Sequence, residues 1–128
     1  MLDGNLSYHL IYQDDDCIVI LDKYPIDNGH SLIITKKPYE KITDMDVDEV
    51  AKLFSKIPKI ANAIIKATNA DAFSIAQNNG KAAKQIIPHV HIHIIPRYNM
   101  TGTLWTKRKI MKDSELVIMA QEIKNCLE

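Results

Sequence analysis

Three histidines alternate with aliphatic residues in the run His89-Val90-His91-Ile92-His93-Ile94-Ile95. Alternate side chains of a strand point to one face. The spacing therefore predicts three imidazoles in a row, with Val90, Ile92 and Ile94 anchoring the other face in a core. Alternate Cα atoms lie roughly 6.6–6.8 Å apart, which lets one ring sit at a reacting atom while its neighbours reach the oxygens around it. A neutral imidazole donates from one nitrogen and attacks with the other. If a backbone carbonyl takes the Nδ1 proton of the middle ring, its Nε2 is left as a fixed lone pair, and histidine is a known covalent nucleophile. The flanking rings could hold phosphate oxygens and protonate a leaving group. Phosphoryl chemistry is mainly positioning plus charge stabilisation, and such a row could supply both without a metal.

Two other readings of the row stay open on these residues alone. One is a solvated polar face, against which the all-aliphatic opposite side weighs. The other is a metal site, since imidazole is a common ligand. No Cys or His pair at zinc-finger spacing accompanies the run, and it contains no carboxylate.

The elements that must position this row follow from patterning. Tyr8 to Tyr12 reads as a short strand, Asp14 to Asp16 as a turn, and Cys17 to Leu21 as a second strand, giving a hairpin. Pro25, Asp27, Asn28 and Gly29 are loop residues, and Ser31 to Thr35 is a third strand. Asp46 and Glu49 have capping-box spacing, and Val47, Val50, Phe54, Ile57, Ala61, Ile64 and Ile65 recur at helical intervals. Pro58 should kink or split that helix. Ala72 to Ala76 is a fourth strand, Asn78-Asn79-Gly80 a turn, and Lys81 to Ile87 a loop before the histidine strand. Asp113 or Ser114 can cap a last helix with an apolar stripe of Leu116, Met119, Ala120, Ile123 and Leu127. The expected fold is α+β: a mostly antiparallel five-stranded sheet packed with one long, kinked helix and a C-terminal helix.

The length of 128 residues suits one domain over 1–128, with 98–128 as a C-terminal extension ending in the helix. Lys plus Arg and Asp plus Glu number 16 each, so no global basic field draws in nucleic acid, and any phosphate site must be local. The apolar runs fall far short of the ~20 residues of a membrane span. The first residues lack the basic and apolar regions of a signal peptide, which predicts a soluble, cytoplasmic protein. Cys17 and Cys126 read as reduced thiols rather than a disulfide.

The seven residues from His89 to Ile95 resemble the signature of the histidine-triad (HIT) family, His-φ-His-φ-His-φ-φ with φ apolar. The resemblance runs from about Tyr8 to Arg97. It implies that His91 forms a covalent nucleotidyl intermediate, that His89 orients it partly through its backbone carbonyl, and that His93 contacts the α-phosphate. The segment Leu21-Asp22-Lys23-Tyr24-Pro25 with Gly29-His30 is similar to the family's nucleoside-binding strand and turn. By that likeness Asp22 grips the ribose hydroxyls, His30 adjoins the triad, and Ile20 and Leu21 wall the base. Asn78 corresponds to an amide near the nucleotide and Gln85 to a phosphate-side glutamine. The sequence departs from the family pattern at Lys84-Gln85-Ile86, where Gly-Gln followed by Ser or Thr is usual. The Cys-x-x-Cys of some members is absent, so the resemblance implies no structural zinc and no cofactor.

The resemblance implies a nucleotide hydrolase acting on the α-phosphate of adenosine nucleotide conjugates, either phosphoramidates or dinucleoside polyphosphates. The third imidazole, where the transferase branch carries Gln, favours hydrolysis. The alternative is a nucleotide- or partner-binding module with weak or no hydrolysis, which the missing hydroxyl at Ile86 keeps open. Family members are usually homodimers, and the helix from Phe54 to Ile65 is the candidate surface, although core packing explains the same residues equally well.

Overall fold

Strands β1 (Leu10–Gln13), β2 (Cys17–Leu21), β3 (Ser31–Thr35), β4 (Ala72–Ala76) and β5 (His91–Arg97) form one antiparallel sheet in the order β1-β2-β3-β5-β4. The structure is a computed structural model, and it describes residues 9–99, 108 and 110–127. Three strands match the predicted bounds because each is a β-branched or aliphatic run between turn residues. β1 begins later than expected, at Leu10, and Tyr8 lies outside the described residues. β5 begins at His91, two residues after the predicted start. His89 N–H donates to the Ile87 carbonyl and Val90 N–H to Tyr39 O, so the chain is still turning there.

The long helix is broken into α1 (Val47–Ser55) and α2 (Ile57–Thr68) at Lys56, with Pro58 in the first turn of α2. Pro58 has no N–H for the Phe54 carbonyl, so the α1 ladder cannot run through it. Lys56 Nζ lies 2.9 Å from Asp14 and 3.4 Å from Asp16, tying the bend to the β1–β2 turn. The predicted capping box does not form. Asp46 is the N-cap but its side chain makes no capping bond, and Glu49 pairs instead with Lys37 at 3.1 Å. The final helix, α3 (Asp113–Cys126), is capped from Lys112, whose N–H donates to Glu115 Oε1, rather than by Asp113 or Ser114. Asp113 meets the His9 ring at 2.9 Å.

The two faces of the sheet carry different layers. Val19, Leu21, Ile33, Val90, Ile92 and Ile94 pack under α2 and α3 against Ile60, Ala61, Ile64, Leu116 and Ile123, which form the main core. Each Val, Leu or Ile side chain among these contributes roughly 1.5–3 kcal/mol on burial. Ile57, Ile60, Ala61, Ala63 and Ile64 are buried in this way, so packing within the chain accounts for most of the helix stripe considered for a partner. Ile18, Ile20, Leu32 and Ile34 form a smaller cluster on the opposite face. Both cysteines are free thiols, Cys17 buried and Cys126 half-buried. Among the described residues no helix is long and apolar enough to cross a membrane.

Candidate functional site

The register of β3 against β5 sets the site. His91 stands opposite Ile34 and His93 opposite Leu32, on the face away from the helices, while Ile92 and Ile94 turn into the main core. Period-2 alternation produces this division, as the sequence predicts. The same alternation separates Ile20 from Leu21. Ile20 shares the histidine face; Leu21 packs into the helix-side core.

The row of rings differs from the expected one. Ring contacts join His91 to His93 with centroids 5.0 Å apart, and His93 to His30 at 5.2 Å. His30 immediately precedes β3 and is fully buried, brought beside His93 by strand pairing. His89 sits ahead of β5, and its Nε2–H donates to the Thr35 carbonyl at 2.7 Å. Its contribution to the centre is its backbone carbonyl, which accepts from His91 Nδ1–H at 2.7 Å.

These contacts fix the tautomers. A carbonyl only accepts, so His91 carries its proton on Nδ1 and presents a lone pair at Nε2. Ile26 N–H donates to His30 Nδ1 at 3.1 Å, which leaves the His30 proton on Nε2. That Nε2–H donates to His93 Nδ1 at 2.9 Å, so neutral His93 carries its proton on Nε2. One ring thus offers a nucleophile and the ring beside it a donor.

Burial keeps the cluster neutral. Desolvation lowers His30 to about 4, opposed by the Asp22 carboxylate and assisted by Arg108 and Arg97. Desolvation, then His30, His91 and Arg108, lowers His93 to about 3. His91 is also lowered, chiefly by desolvation. At neutral pH its lone pair is available.

Asp22 lies at the mouth of the β2–β3 hairpin, its Oδ2 3.6 Å from His30 Nε2 and its Oδ1 accepting from Tyr24 N–H. Asp22, His30 and His93 each bring a ligand atom within 4.8 Å of the others, the one set among the described residues that could hold a metal ion. An ion bound through His30 Nε2 would displace the proton shared with His93. Gln85 is buried and its amide is committed to the loop: Gly80 N–H donates to its Oε1, and its Nε2–H donates to Glu40 O, both at 2.6 Å. Asn78 is half-buried and makes no side-chain hydrogen bond among the described residues. Its neighbour Asn79 is the structural amide, accepting from Ile42 N–H and Gln77 Nε2–H. Arg108, which the sequence marks only as part of the basic run Lys107-Arg108-Lys109 that could receive extra phosphates, has its Nη1 2.6 Å from Asp22 Oδ2.

Comparison with known proteins identifies the family. The model of the HIT domain matches residues 3–100. An adenylylsulfatase from Arabidopsis thaliana is 43% identical over 118 residues, covering 91% of this chain; the chain spans 59% of that protein's length. The crystal structure of a HIT-like protein involved in cell-cycle regulation from Bartonella henselae superposes with a TM-score of 0.90 at 32% identity, covering 97% of this chain and 90% of that one. The Plasmodium falciparum diadenosine triphosphate hydrolase gives a TM-score of 0.78 at 26% identity, covering 91% of this chain and 74% of that one. With three-quarters of its length matched by the domain model, the chain belongs to the histidine-triad family.

Proposed function

We propose that the chain is a nucleotide hydrolase that carries an adenylyl group on His91 during turnover. The observation that bears most weight is the 2.7 Å bond from His91 Nδ1–H to the His89 carbonyl, because it leaves Nε2 as the nucleophilic lone pair. The named activities of the plant relative and the Plasmodium neighbour, an adenylylsulfatase and a diadenosine triphosphate hydrolase, support adenosine nucleotide conjugates as the substrate class. His91 Nε2 bonds to the α-phosphorus as the bond to the leaving group breaks and its electron pair departs with that group. The adenylyl imidazolium is cationic, so its Nδ1–H bond to the His89 carbonyl strengthens. Water then attacks phosphorus, the P–N bond breaks, and AMP leaves as the water proton passes to solvent. His93 Nε2–H donates to a phosphate oxygen. Asp22 accepts from the ribose hydroxyls, Ile20 lines the nucleoside side, and Gln85 and Asn78 shape the loop facing the phosphate.

Intact-mass analysis after a brief reaction with adenylyl sulfate tests this. The native chain should gain one adenylyl group and His91→Ala none. Turnover by His91→Ala at the native rate would end the proposal. A second reading, a nucleotide-binding module with weak or no hydrolysis, draws on Ile86, which is 88% exposed and stands where the family pattern noted from the sequence has Ser or Thr. It expects nucleotide affinity without an adduct. The proposal includes a symmetric homodimer, for which the edge strand β4 offers exposed Phe73 and Ile75.

A further inference from the structure

Arg108 reaches from the chain leading into α3 to the hairpin that closes β2 and β3. Its Nη1 donates to Asp22 Oδ2 at 2.6 Å and to the Tyr24 carbonyl at 2.8 Å. Among the described residues its Nε and Nη2 donors have no partner, and the side chain is 39% exposed. Among the described residues the guanidinium is therefore anchored at one corner, with its remaining edge open.

Among the described residues, the site around it is short of positive charge. His30, His91 and His93 are held neutral by burial, and Asp22 adds an anion, so a phosphoryl group arriving here meets three uncharged rings and a carboxylate. Arg108 is the cation whose field opposes protonation of all three imidazoles. Arg97, which acts on His30, faces buried Asp27 with Nε 3.7 Å from its Oδ2. The ion pair does not exclude ribose from Asp22. A carboxylate has about four lone-pair sites, and Tyr24 N–H and Arg108 account for two.

We propose that Arg108 is a substrate-binding residue that selects phosphorylated adenosine over neutral adenosine, its guanidinium bridging Asp22 and the phosphoryl oxygens of the ligand. This rests on the adenosine nucleotide reading of the site and deepens it. Arginine suits the task because its planar fork can serve a carboxylate and a phosphate at once.

Calorimetric titration of the native chain and Arg108→Gln with adenosine, AMP and ADP tests it. The substitution should weaken AMP and ADP by about tenfold or more and leave adenosine within about twofold, as expected for losing a hydrogen bond to a charged group. Native AMP affinity should also fall more steeply with added KCl than that of Arg108→Gln. Equal changes for all three ligands, or unchanged AMP and ADP, would overturn the proposal. A native chain that binds AMP through Arg108 but turns over no adenylyl conjugate would sink the hydrolase reading and leave this one standing. A native chain with no affinity for any adenosine nucleotide would overturn both.

Discussion

His30 Nε2 lies 2.9 Å from His93 Nδ1, and that contact carries a tautomer choice from the main chain at Ile26 to the substrate face. His30→Phe keeps a buried ring and removes the donor. Loss of one such hydrogen bond, about 1–2 kcal/mol, predicts a fall of about tenfold in kcat/KM for adenylyl sulfate. The adduct at His91 should still form, more slowly. Unchanged steady-state kinetics would show that the His30–His93 contact has no part in turnover.

The same pair makes stability depend on pH. In the unfolded chain these imidazoles titrate near 6.5, whereas folded His30 and His93 are lowered to about 4 and about 3. As pH falls below 6.5 the unfolded state binds protons first, so stability present above 6.5 is lost progressively down to the folded values. For buried His30 the full loss is of the order of 3 kcal/mol. Urea unfolding of the native chain and His30→Phe at pH 7.5 and 5.5 checks this: the variant should lose less over the interval. The lowered His91 also places the acid limb of kcat/KM below pH 6.5.

Gly29 sets the turn that delivers His30. Its φ is +98°, and a Cβ there would lie 2.7 Å from Thr68 Cγ2 and 3.3 Å from Pro96 Cγ. Gly29→Ala combines left-handed strain with overpacking, so destabilisation of roughly 2–4 kcal/mol is expected by thermal or urea unfolding. A variant as stable as the native chain would refute the close approach.

β4 pairs with β5 on one side and, among the described residues, with nothing on the other. Phe73 and Ile75 on it are 40% and 46% exposed. An edge of this kind invites pairing with a second copy. Sedimentation should find a dimer at micromolar concentration and a monomer for Ile75→Lys. A monomeric native chain would count against the homodimer.

Local pattern was enough for much of this fold. Cys17 to Leu21, Ser31 to Thr35 and Ala72 to Ala76 could be read directly because turn residues bound each run. Pro58 announced the break in the long helix. His91 and His93 were legible from alternation, and the use of the His89 carbonyl followed from the family resemblance. What escaped depends on partners far away in sequence. Alternation extended the strand back to His89, but Tyr39 takes the Val90 N–H and turns the chain there. Gln85 spends its amide on Gly80 and Glu40, the latter 45 positions away. Asp22 and Arg108 meet across 86 positions. Lys112 displaced Asp113 as the α3 cap because Glu115 reaches back to its N–H, a choice that composition alone does not dictate.

The acceptor that orients His91 is a main-chain oxygen, and every amino acid has one. Replacement of the His89 side chain therefore cannot delete it, provided the backbone keeps its path. In the proposed reaction, the acceptor that orients the nucleophile is insulated from point changes at the position that holds it. A library varied at residue 89 should contain many members that still adenylylate, whereas one varied at residue 91 should contain none.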